Sequence, residues 1–168
     1  MSNFIYLEKD IILTRFWCDY LTLNRKNEII HFLLLGMSWE HILLEIAFLK
    51  FQNVVFFTSE NLLENSQPLF NKVKVSGVNI LEIVCLKPFE PNSLGLMTEK
   101  ISEVYWKYAN NTIVAGLTGG TNLMVAAMTL NALKYGLVCH YAVKNTQEIY
   151  YISYIKDLHD AGNIIEAA

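Results

Sequence analysis

From residue 29 onward the chain alternates short, continuous apolar runs with longer segments of helical period, and this alternation limits the fold to a small set. Ile29-Ile-His-Phe-Leu-Leu-Leu35 has no polar side, which predicts a strand buried on both faces. Gly36-Met37-Ser38 turns the chain. Ser38 is then placed to cap a helix running through Phe51, with Ile42, Leu43, Ile46 and Leu49 on one face. Further strands are expected at Asn53 to Thr58, Asn79 to Leu86, Thr112 to Leu117 and Leu137 to Val143, with a sixth at Glu148 to Ile155. Helices are expected from Leu62 to Val75, Leu94 to Tyr108 and Leu123 to Tyr135, the last stopped by Gly136. Pro88 and Pro91 mark Lys87 to Ser93 as a loop.

Strands separated by helices predict an α/β domain: a Rossmann-like, mostly parallel sheet with helices on both faces. A length of 168 residues fits one domain. Such a chain buries roughly 70% of its unfolded surface without disulfides or a structural metal. Residues 1–28 do not fit the alternation and are expected to form an accessory element or linker, with 29–168 as the Rossmann-like domain.

Composition excludes several classes. The net charge of −3 argues against a broad surface for duplex nucleic acid, which needs many Lys and Arg contacts. Apolar residues make up 53% of the chain, enough for a full core and an interface besides. Cys18, Cys85 and Cys139 are far apart in apolar contexts and read as buried, reduced thiols, not as zinc ligands. A reducing, cytoplasmic setting is therefore expected, with no signal peptide and no membrane-spanning run visible in these residues. A membrane-anchored parent, of which this chain would be the cytosolic part, stays compatible with that.

In parallel sheets of this kind, ligands bind outside the carboxyl ends of the strands. Three polar turns are expected to meet there: Gly36-Met37-Ser38-Trp39, Thr58-Ser59-Glu60 and Thr118-Gly119-Gly120-Thr121-Asn122. The last is the most informative. It joins a buried strand to an apolar helix and brings glycines, hydroxyls and an amide to a helix start, where unpaired N–H groups and the helix dipole favour an anion. A tight strand-to-helix connection with no ligand would use Gly119-Gly120 equally well. The hydroxyls beside it are what such a connection does not need.

No GxGxxG follows the first strand and no GxxxxGK[ST] occurs, so a dinucleotide cofactor or P-loop is not expected, and no cofactor or metal is assigned. Ser38 is either a helix cap or a phosphate ligand. Trp39 either packs at the rim or stacks on a base. His31 and His140 lie in apolar strands and read as core histidines. Lys144 follows the fifth strand at the same edge, either solvated or set to neutralise phosphate charge.

Two blocks, Phe32-Leu-Leu-Leu-Gly-Met-Ser-Trp-Glu40 and Leu117-Thr-Gly-Gly-Thr-Asn-Leu-Met124, give the chain a resemblance over residues 29–155 to the CARF family, the cyclic oligoadenylate sensors of type III CRISPR systems. The second block is similar to a TGGTK-x-M signature, with Asn122 where relatives commonly carry Lys. The resemblance implies an RNA-binding, nucleotide-binding homodimer acting in antiviral defence. Its ligand would be a cyclic oligoadenylate, most simply the four-adenosine ring, whose two-fold symmetry matches such a dimer. It also implies a fused or separate effector. The implied ligand-binding residues are Gly36, Met37, Ser38, Trp39, Thr58, Ser59, Glu60, Thr118, Gly119, Gly120, Thr121, Asn122 and Met124. The alternative within the family is a ring nuclease, in which Ser38 and Lys144 assist metal-independent attack of a ribose 2′-hydroxyl on the adjacent phosphate. Outside it, a Rossmann-like binder of a phosphorylated metabolite remains.

Overall fold

The computed structural model describes residues 28–143 and 145–153. The expected N-terminal accessory segment lies outside these residues except for Glu28, as do Cys18, Lys144 and His159.

The elements in chain order are β1 (Ile29–Leu34), α1 (Glu40–Leu49), β2 (Asn53–Ser59), α2 (Glu60–Leu63), a 3₁₀ turn (Glu64–Ser66) and α3 (Gln67–Val75). They continue with β3 (Asn79–Leu86), α4 (Ser93–Lys107), β4 (Thr112–Gly116), α5 (Asn122–Tyr135), β5 (Val138–Val143) and β6 (Glu148–Ser153). They build a six-stranded sheet in the order β3-β2-β1-β4-β5-β6. Every neighbouring pair is parallel except β5 with β6, which run antiparallel at the edge. The expected α/β architecture is therefore present.

The central strands are apolar throughout because helices cover both sides. Ile30, Phe32 and Leu34 of β1 face a core with Val55, Phe57, Met97, Ile101, Met124 and Met128, under α4 and α5. Leu33 faces the opposite core with Ile42, Val54, Phe56, Leu69 and Phe70, under α1 and α3. The edge strand β3 alternates instead, and its Cys85 is exposed, which corrects the expectation that all the cysteines are buried. Cys139 is buried, and burial pushes its thiol pKa up to about 12.

Two helix boundaries differ from expectation for local reasons. The single helix expected over Leu62 to Val75 is broken by the 3₁₀ turn, and Pro68, in the first turn of α3, starts a fresh helix there. Helix α1 is capped by Trp39, not Ser38: the Ile42 N–H donates to the Trp39 carbonyl at 3.1 Å, while the Ser38 hydroxyl donates to the Glu40 carboxylate.

After β3 the chain returns to the other side of β1. The strand order therefore reverses between β1 and β4, and the loops leaving those two strands diverge to opposite faces.

Candidate functional site

A cavity of about 340 Å³ opens at that reversal, at the carboxyl ends of β1, β4 and β5. Gly36, Met37 and Ser38 line it from the β1–α1 turn, and His41 from the first turn of α1. Thr118, Gly119 and Gly120 come from the β4–α5 turn, and Tyr141, Ala142, Val143 and Asn145 from the end of β5.

The two glycine turns meet backbone to backbone. A Cβ on Gly36 would sit 2.7 Å from the Gly120 nitrogen, so no side chain fits between them. Gly119 has φ of +91° and Gly120 of +71°, in the left-handed region that glycine tolerates best. A Cβ on Gly119 would meet the Leu34 carbonyl oxygen at 2.5 Å and His41 Nε2 at 2.7 Å.

Hydrogen bonds fix the β4–α5 turn. The Ala142 N–H donates to Thr118 Oγ1 at 2.6 Å, which leaves the Thr118 hydroxyl proton free to be donated elsewhere. Thr121 caps α5: its hydroxyl accepts from the Met124 N–H at 3.3 Å, and its own N–H points to the Met124 sulfur at 3.5 Å. The Val125 N–H takes the Thr121 carbonyl at 3.0 Å. The first-turn amides of Asn122 and Leu123 have no intrahelical acceptor and carry the positive end of the helix dipole.

Of the residues expected to bind, Gly36, Met37, Ser38, Thr118, Gly119 and Gly120 converge on the cavity. Thr121 and Asn122 stand beside it at the start of α5. Three sets of expected residues lie elsewhere. Trp39, partly buried, packs against the core under α1 and α3 with the Lys72 ammonium 4.6 Å from its ring, and does not line the cavity. Met124 is buried in the other core as the sulfur partner of the cap. Thr58 and Ser59 end β2 and Glu60 begins α2, on the side of β1 away from β4, and none of the three lines the cavity. There the Thr58 hydroxyl donates to the Leu35 carbonyl at 3.4 Å. Of the pair offered for catalysis, Ser38 reaches the cavity and Lys144 lies outside the described residues.

Sequence reasoning missed His41, Tyr141 and Asn145 at the cavity, and a buried polar chain behind it. Glu45, on α1, is 1% exposed, and its carboxylate makes no hydrogen bond among the described residues. His140 Nδ1 lies 3.5 Å from Glu45 Oε1, and His140 Nε2 lies 3.5 Å from His31 Nδ1. Burial, and then the neighbouring His140, hold the His31 pKa well below the ordinary histidine value. Gly116 makes room for this chain, since a Cβ there would come within 3.0 Å of the His140 ring. The available signal was His41 and Glu45 at i, i+4 beside Ile42, a polar pair on the inward side of the helix.

No protein-family model and no curated protein matches the chain. Solved structures do. Can2 from Sulfobacillus thermosulfidooxidans, in complex with cyclic tetra-adenylate, superposes with a TM-score of 0.63 at 18% identity, over 74% of this chain and 35% of that one. Csm6 from Enterococcus italicus, bound to cyclic hexa-2′-fluoro-hexa-dAMP, gives 0.57 at 20% identity, over 71% of this chain and 34% of that one. A type III CRISPR defence DNA nuclease activated by cyclic oligoadenylate gives 0.53 at 15% identity, over 69% of this chain and 19% of that one. The chain thus spans about a third or less of those proteins, and at these identities the likeness is one of architecture. The chain shares with them a Rossmann-like, mostly parallel α/β fold, and its own cleft opens where the strand order reverses.

Proposed function

We propose that this chain is a cyclic oligoadenylate sensor of type III CRISPR signalling, taking the four-adenosine ring across a two-fold pair of copies. The observation that carries the reading is the contact of Gly36 with Gly120, which brings the β1–α1 turn and the start of α5 onto one cavity. Helix starts and turn amides attract phosphate without a basic surface, which suits a chain of net charge −3.

Size supports the pairing. A cavity of about 340 Å³ is at the lower end for small-ligand sites and accommodates about one nucleotide unit. A ring of several nucleotides needs the same cleft repeated, and an isologous dimer supplies it by symmetry. The ligands of Can2 and Csm6 named above are of this chemical class.

Calorimetric titration with cyclic tetra-adenylate, cyclic hexa-adenylate, AMP and NAD tests the reading. The four-membered ring should bind far more tightly than AMP or NAD. Equal affinity for AMP and the ring would point to a mononucleotide binder. Tighter binding of the six-membered ring would keep the class and change the ring.

A further inference from the structure

The described cavity lining contains no Lys or Arg, although its proposed ligand is a polyanion. One described lining residue can gain a positive charge near neutral pH: His41. The imidazole is 5% exposed and lies directly beneath the glycine turn, since a Cβ on Gly119 would fall 2.7 Å from Nε2. That nitrogen is 3.4 Å from the Leu34 carbonyl oxygen. A carbonyl accepts from Nε2–H in the neutral and in the charged form, so the contact leaves the second nitrogen to change its protonation.

We propose that His41 is a ligand-binding residue of this cavity and carries its titratable positive charge, so that a bound phosphodiester is held more tightly as pH falls through the imidazole range. This rests on the oligoadenylate reading of the site. A phosphodiester stays ionised throughout that range, so the change belongs to the protein. The ionisable groups on the elements around His41 are Glu40 and Glu45 on its own helix and His31 on β1. The others on these elements, among the described residues, are Lys72 and Lys74 on α3, Cys139, His140 and Tyr141 on β5, and Glu148, Tyr150 and Tyr151 on β6. A phosphate beside His41 favours the imidazolium over the neutral ring, and by linkage the proton strengthens the phosphate's binding by the same factor.

The test is the affinity for cyclic tetra-adenylate from pH 5.5 to 8.5 for the unaltered protein and for His41→Gln, whose amide keeps a donor for Leu34. Affinity of the unaltered protein should rise about tenfold per site on acidification, the equivalent of one unit of pKa coupling, and the His41→Gln profile should be flat. Binding with parallel profiles in both proteins overturns the role of His41 and leaves the sensor reading standing. No binding by the unaltered protein at any pH overturns both. If His41→Gln does not fold, the His41 ring titration followed by NMR in the unaltered protein decides. Its titration should move to higher pH when the ring binds, and an unmoved titration overturns the proposal.

Discussion

At the scale of single residues, the cleft depends on positions where a side chain is forbidden. Gly119 combines a left-handed backbone with a Leu34 carbonyl oxygen 2.5 Å from where its Cβ would stand. Gly119→Ala should therefore lower stability by about 2 kcal/mol or more and weaken ring binding at least tenfold. Urea unfolding and calorimetry read the two effects. Gly95 in α4 is the contrasting control: nothing lies within 4 Å of its Cβ position. Gly95→Ala should stabilise by about 0.5–1 kcal/mol and leave binding untouched. A Gly119→Ala protein with unchanged stability would contradict the geometry of the turn.

His31 makes a second prediction at this scale. Its folded pKa lies below the unfolded one, so the unfolded chain binds more protons as pH falls below about 6.5. Stability from this group is complete above that pH and is lost below it, by about 1.4 kcal/mol per pH unit until the folded pKa is reached. His31→Phe should flatten this part of the stability curve, and an unchanged slope would contradict it. The partners of His31 were not legible in the sequence. Strand patterning marks it as inward-facing, but the Glu45–His140–His31 chain arises only when α1 is laid across β1 and β5.

At the scale of elements, the strands were readable because apolar runs buried on both sides have few other uses, and β3 begins and ends where expected. Helix starts were less legible. Ser38 has the chemistry of a cap but finds a closer partner in Glu40, and α1 begins with Trp39 as its cap. Trp39 is adjacent to the site in sequence, yet its partly buried ring packs against the core beneath Lys72. The aromatic residue at the cavity is Tyr141, 45% exposed and paired in register with Tyr150 on the antiparallel edge hairpin. It is proposed to stack on adenine. Tyr141→Ala should cost about 1–3 kcal/mol of ring affinity with little change in unfolding midpoint, whereas Trp39→Ala should lower the midpoint. If Trp39→Ala alone reduced affinity while leaving stability intact, the assignment would have to be reversed.

At the scale of the whole molecule, the order of strands and helices conveyed the sheet, and the reversal between β1 and β4 explains why two of the three polar turns meet. The third, at the end of β2, was legible as polar but not as distant, because sequence does not show which strands are neighbours. Among the described residues no helix is long and apolar enough to cross a membrane. A site held mainly by helix starts and turn amides releases few counterions. The affinity should therefore fall with salt at a log–log slope no steeper than about −1.5, the value for roughly two phosphate-neutralising cations per ring. The central claim is that two copies of this cleft close on one ring. Calorimetric titration with cyclic tetra-adenylate, with the mass of the complex measured by light scattering, tests it most directly. The account predicts saturation at one ring per two chains and a complex of dimer mass; one ring per single chain, or no heat of binding, would contradict it.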